Sequence, residues 1–217
     1  MSIIGRAVVL GATGQTGSGM LEELLGGSEP QVKGVVAYGN SRLPKYDGPR
    51  KELLECRQSP MADLVTTRAS ELQGFDSIFF HIGTQRAKAG IEGQLKLEFD
   101  DTLAAAKIAL EGGCKRCHIV SSSGASTTAM VPYLKTKGRI EEALKALGFE
   151  ALYIYRPAVL FGGDRSTGFF RESVLASIMP SIHVKKVAKA IRVNALKNET
   201  GVRTLENKDL HQLAKQE

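Results

Sequence analysis

The chain has 217 residues, enough for one well-buried domain, and no Pro-, Ser- or charge-rich stretch divides it. Its formal charge of +6 suits an anionic ligand, but the basic residues are scattered, aromatics are not interleaved with them and no helix-turn-helix or zinc spacing occurs, which argues against nucleic acid as a partner. Three cysteines make no paired extracellular framework, and the opening apolar run Ala7 to Leu10 is too short for a membrane span and lacks a signal-peptide cleavage pattern, so a cytoplasmic protein is expected, with the nucleus as the alternative.

Short β-rich runs alternate with helical segments, the pattern of a parallel α/β sheet. Strands are predicted at Arg6 to Leu10, Val32 to Tyr38, Leu54 to Arg57, Ser77 to Ile82, Arg116 to Ser121 and Ala151 to Tyr155. Helices are predicted at Gly14 to Leu25, Glu92 to Glu111 and Tyr133 to Leu147, where apolar residues recur at three- and four-residue steps. The expected fold is a single Rossmann-type domain with a doubly wound parallel sheet in the order 3-2-1-4-5-6 and a small C-terminal substrate-side region.

The first strand runs directly into Gly11-Ala12-Thr13-Gly14-Gln15-Thr16-Gly17, which opens a helix. A glycine loop in that context cradles a pyrophosphate: the first glycine makes the turn, the second lets backbone approach the anion, and the third lets helix pack on strand. The second strand ends in Tyr38-Gly39-Asn40-Ser41-Arg42, with no carboxylate for ribose hydroxyls. Arg42, helped by Asn40 and Ser41, suits a 2′-phosphate, so NADP(H) is expected over NAD. Asp63 and Leu64 are expected near adenine, at a strand end. Ile82, Gly83 and Thr84 are expected near ribose and pyrophosphate, with Arg86 and Lys88 on the loop that follows.

The next strand leads into Ser121, Ser122 and Ser123, and Tyr133 and Lys137 follow one helical turn apart. A carbonyl reductase needs an acid of near-neutral pKa, and moving a tyrosine from about 10 by ~3 units takes ~4 kcal/mol of phenolate stabilisation. Lys137 lies on the same helix face as Tyr133 and supplies positive charge, while Lys135 points elsewhere. Ser122 is preferred for holding the substrate oxygen, with Ser121 and Ser123 competing. Arg156, Pro157, Ala158 and Val159 close the following strand and are expected beside the nicotinamide. Cys114 and Cys117 match C-x-x-C, yet Cys56 is the one other cysteine and no paired histidines complete a zinc set, so they read as packing thiols. Residues 162–183 are expected to form a substrate-side loop and short helix, Lys185, Lys186 and Lys189 a solvated helix face, and Leu205 to Lys215 a short packing helix.

The strings G-A-T-G-Q-T-G, G-T-Q-R-A-K-A-G-I-E-G at 83–93, G-G-C-K-R at 112–116, S-S-S-G-A, Y-L-K-T-K-G, R-P-A-V-L and L-E-N-K cover almost the whole chain. On them the sequence resembles the Tat-interactive protein family of atypical short-chain dehydrogenase/reductases. The resemblance implies an NADPH-binding Rossmann fold with Ser122, Tyr133 and Lys137 as its triad and the G-T-Q-R-A-K segment beside the cofactor. It leaves two functions open: an NADP(H)-dependent oxidoreductase for a small carbonyl, and an NADP(H)-sensing regulatory or scaffold protein with a protein partner, since mammalian members are associated with nuclear transport, transcription and apoptosis. The chain departs from the family pattern at the basic pair after the second strand, at the N-terminal extension of mammalian members, and near Pro180-Ser181, where it is about ten residues shorter.

Overall fold

A computed structural model describes residues 3–27, 29–83, 86–162 and 180–216, the side chains of 86–89 and 91 excepted. The strands are β1 (Arg6–Leu10), β2 (Gly34–Gly39), β3 (Leu54–Gln58), β4 (Ser77–Phe80), β5 (Arg116–Val120), β6 (Ala151–Arg156), β7 (Val159–Phe161), β8 (Ser181–His183) and β9 (Gly201–Glu206). The helices are α1 (Gln15–Gly26), α2 (Met61–Thr66), α3 (Arg86–Leu95), α4 (Thr102–Glu111), α5 (Pro132–Lys145), α6 (Val184–Ala195) and α7 (Asn207–Leu213).

Seven strands form one wholly parallel sheet in the order β3-β2-β1-β4-β5-β6-β9, and β7 and β8 pair separately. Alternation along each strand sends side chains to opposite faces. Ala7, Val9, Val35, Ala37, Tyr153 and Tyr155 face the layer of α1, α6 and α7. Val8, Leu10, Val36, Ile78, Phe80, Leu152 and Ile154 face that of α2, α4 and α5. Because both faces are covered, the central strands are apolar throughout, as buried parallel strands are. α1 buries Met20, Leu21, Leu24 and Leu25, a three- and four-step stripe; each such side chain contributes roughly 1.5–3 kcal/mol when fully buried.

The expected order is found with one addition. β9 extends the sheet beyond β6, and its Gly-Val-Arg-Thr-Leu-Glu sequence is mostly exposed, as suits an edge strand. The tail helix occupies Asn207–Leu213, two residues inside its expected start. The helix expected over Glu92 to Glu111 is present as α3, a π-helical turn at Lys96–Asp101, and α4. α3 is itself broken at Gly90, whose φ of 71° is left-handed.

Candidate functional site

The glycine loop sits where β1 meets α1. Gly11 has φ +82°, and a Cβ there would lie 2.5 Å from the His81 carbonyl oxygen, so the turn requires glycine. A Cβ on Gly17 would run into the Gly11 carbonyl, so the first turn of α1 packs directly on the end of β1. The loop is held from β2, whose Tyr38 carbonyl accepts from the N–H groups of Gly11 and Ala12 at 3.1 and 3.0 Å. Gly14 is the N-cap of α1 and no side chain caps it, so the first-turn N–H groups of Gln15, Thr16 and Gly17 present an anion site.

His81, one residue past β4, braces this turn. Its ring is buried and its Nδ1 lies 3.1 Å from the Thr16 hydroxyl. Burial holds the imidazole neutral, its pKa lowered to about 3. Thr16 therefore offers the site its backbone, since its hydroxyl is engaged with His81. Sequence reasoning passed over His81 because a lone histidine at a strand end carries no spacing signal.

Beside the loop lies a cleft of ≈ 480 Å³, lined by Thr13, Gly14 and Gln15, by Arg42 and Lys45 from the segment after β2, and by Lys185 at the start of α6. Arg42 folds back over the loop and donates from Nη2 to the Thr13 carbonyl at 3.3 Å, one of its five donors. Asn40 and Ser41 are exposed on the same segment. Lys45, which the sequence did not assign, and Lys185, expected on a solvated helix face, add positive charge to the cleft; Lys185 is paired with Glu22 at 3.4 Å.

Asp63 and Leu64 lie on α2 and not at a strand end, because β3 stops at Gln58 and Pro60 precedes a helical turn. Leu64 is fully buried in the core, so its side chain serves packing, and the strand-end position expected for the pair is corrected to a helix. Ile82 and Gly83 follow β4 as expected. Thr84 lies outside the described residues, as does most of the expected substrate-side segment, 163–179, and the side chains of Arg86 and Lys88 are likewise outside them.

The groups expected to react are set by α5, which begins at Pro132 with Tyr133 in its first turn. Tyr133 is 38% exposed while Lys137 is 3% exposed. The Lys137 ammonium stands 5.8 Å from the Tyr133 ring centroid and donates to the Ile82 carbonyl at 3.2 Å. It also pairs with Glu98 Oε2 at 3.0 Å, with the two side chains 4% and 0% exposed. Burial opposes the charged lysine, but Tyr133, Glu98 and Glu141 outweigh it and raise its pKa above the ordinary value. The sequence did not single out Glu98, although a signal was there. It falls on the stripe Glu98, Thr102, Ala105, Ala106 and Ala109, and the structure buries every one of them.

The three serines separate by burial. Ser121 is buried and donates to Glu141, so its hydroxyl is engaged within the protein. Ser122 is partly exposed, and its hydroxyl lies 3.5 Å from the Ser123 carbonyl. Ser123 is exposed, and its N–H donates to the Pro157 carbonyl at 2.9 Å. Arg156 is likewise engaged: it donates to Glu141 at 3.1 and 2.5 Å and to Glu206 at 3.0 Å. The Ala158 N–H is held by Asn207 Oδ1 at 3.0 Å and the Val159 N–H by the Pro180 carbonyl at 3.2 Å. The role of L-E-N-K is thus visible: Glu206 and Asn207 tie the start of α7 to the end of β6. Cys114 and Cys117 are buried free thiols, and burial raises Cys114 to about 12.

A family model described as NAD(P)H-binding matches residues 11–199. The chain is 40% identical over 162 residues to Protein FMP52, mitochondrial, of Eremothecium gossypii, spanning 74% of this chain and 68% of that one. It is 33% identical over 156 residues to Protein HTATIP2 of Rattus norvegicus, spanning 70% of this chain and 61% of that one, so it covers about three fifths of the rat protein. Among solved structures, MoeE5 in complex with UDP-glucose and NAD superposes with a TM-score of 0.71 at 20% identity, covering 93% of this chain and 75% of that one. A putative NAD-dependent epimerase/dehydratase from Bacillus halodurans gives 0.68 at 21% identity, covering 98% and 99%. At such identities the structural likeness shows the fold. Among the described residues no helix is long and apolar enough to cross a membrane.

Proposed function

The chain belongs to the NAD(P)H-binding family, among the atypical short-chain dehydrogenase/reductases, and from that premise we propose that it is an NADP(H)-dependent oxidoreductase acting on a small carbonyl or alcohol. The observation that carries this reading is the Tyr133 and Lys137 pair on one turn of α5, with the lysine reaching the Ile82 carbonyl beyond β4. That carbonyl follows His81, the residue that braces the glycine loop. The pair and the loop thus share the C-terminal edge of the sheet, where ligands of open α/β folds bind.

The residues fit a dinucleotide. Gly11 and Gly17, lacking a Cβ, let the loop close tightly against the His81 and Gly11 carbonyls, the residues at the N-terminus of α1 line the cleft, and Arg42 suits a 2′-phosphate. When bound, NADPH supplies the hydride. Tyr133 gives the carbonyl oxygen its proton, Lys137 supports the phenolate left behind and holds the nicotinamide ribose, and Ser122 hydrogen-bonds the substrate oxygen. Gly11, Ala12, Thr13, Gly14 and Gln15 line the phosphates in this scheme, and Pro157, Ala158 and Val159 border the nicotinamide.

NADPH oxidation against a panel of small carbonyls tests the reading. Turnover with at least one member is expected, falling by about 10²–10⁴-fold in Tyr133→Phe. Turnover that is unchanged in Tyr133→Phe contradicts the assigned acid. Tight NADPH binding with no turnover across the panel replaces catalysis with the sensing or scaffold role. The cytoplasm expected from the sequence and the mitochondrion named for the fungal relatives are distinguished by cell fractionation.

A further inference from the structure

Lys137 makes contacts that a surface lysine does not. Its ammonium has three N–H donors, and two already have partners: Glu98 at 3.0 Å and the Ile82 carbonyl at 3.2 Å. Such a lysine, nearly sealed from water, would tend to lose its proton unless a carboxylate were fixed beside it.

The backbone around Glu98 is unusual in a way that fits this need. Residues Lys96–Asp101 form a π-helical turn between α3 and α4. The wider turn brings residues five apart together: Lys96 pairs with Asp101 at 2.7 Å, and the Thr102 hydroxyl donates to the Leu97 carbonyl at 2.9 Å. Single π-turns inside α-helices are rare and occur often at functional sites. Gln94, one turn before, donates to Glu98 Oε1 at 3.2 Å and steadies the carboxylate from the other side.

We propose that Glu98 is a positioning residue of the reacting centre, whose buried carboxylate keeps Lys137 charged and holds it between the Ile82 carbonyl and the Tyr133 ring. The other groups whose charge reaches the ammonium are Tyr133 and Glu141, both on α5. Glu141 is occupied by Ser121 and Arg156, so it does not substitute for Glu98. The third lysine donor is left for the nicotinamide ribose. The catalytic meaning of this arrangement rests on the function proposed above, whereas the lysine's protonation can be measured without any cofactor.

The test is an NMR titration of protein labelled with ¹⁵N- and ¹³Cε-lysine, in which the Lys137 signal is the one absent from Lys137→Arg. In the wild type Lys137 should titrate above the exposed lysines. In Glu98→Gln it should titrate about two pH units lower than in the wild type, because burial then prevails, and Glu98→Asp should recover at least half of that shift. NADPH affinity in Glu98→Gln should weaken as pH rises through the new transition, over a range where wild-type affinity is flat. A merely structural glutamate would lower the melting temperature and leave the lysine titration in place. An unmoved Lys137 in Glu98→Gln overturns the proposal. So does a wild-type Lys137 that titrates below the exposed lysines, a result that stands even if the variant fails to fold.

Discussion

Glu98 and Glu141 are both sealed from solvent and each faces a cation, but the two regions they organise do different work. Glu141 on α5 gathers Ser121 from the end of β5 and Arg156 from the end of β6, and through Arg156 reaches Glu206 at the start of α7. Its partner is a guanidinium that stays protonated. Glu98 faces an amine that can lose its proton and that lies next to Tyr133. The pairing with a permanent cation ties elements together, while the pairing with a titratable one sets a charge where the chemistry is proposed.

The contrast is open to a direct break. Removing one partner of a buried ion pair strands the other, at a cost of about 3–5 kcal/mol. Glu141→Gln should lose up to about that much in urea unfolding, because Arg156 cannot neutralise itself and keeps Glu206, a half-exposed partner, in place of a buried one. Glu98→Gln should lose about half as much, because Lys137 can release its proton. Equal losses would mean that the two pairs are of one kind.

A second break uses pH. His118 lies on β5 between the rings of Phe79 and Tyr153, at centroid distances of 4.3 and 4.8 Å, and bonds the Tyr155 hydroxyl at 2.9 Å. Burial first, then the charge of Arg116, lowers its pKa to about 3. The unfolded chain takes up this proton near the ordinary histidine value of about 6.5 and the folded chain does not. Stability from the neutral ring is therefore complete above that value and is lost as pH falls toward 3, by ~3 kcal/mol at about pH 4. His118→Phe should remove that share of the acid loss while the Glu141→Gln deficit stays, with unfolding free energies at neutral and acid pH as the readout. An acid limb of unchanged steepness would count against a neutral buried His118.

How much of this was legible in the sequence follows from range. The glycine loop, the inner strands and the Tyr133 and Lys137 spacing are local patterns, and they stand in the expected elements. β9 escaped notice because Val202, Arg203 and Thr204 are exposed at a sheet edge and carry no apolar alternation. Asp63 and Leu64 stand on a helix and not at a strand end because β3 stops at Gln58 and a helical turn begins after Pro60. Ser121 and Arg156 were expected at the cofactor, yet each is bound to Glu141, a carboxylate from another element that sequence distance conceals. Lys137 was expected to serve Tyr133, but the sequence said nothing of what would keep a buried lysine charged. Glu98 does so from the buried stripe it shares with Thr102, Ala105, Ala106 and Ala109, but the lysine it faces lies on another helix, a pairing that sequence distance conceals.

The smallest expected effect concerns the open nucleotide side of the molecule, and it is the most direct test of the central claim. Titrating wild type and Arg42→Ala with NADPH and with NADH should show NADPH bound at least about tenfold more tightly by the wild type, a difference of ~1.4 kcal/mol. Arg42→Ala should lose that preference with NADH affinity unchanged. Equal affinity of the wild type for the two nucleotides, or binding of neither, would contradict the account.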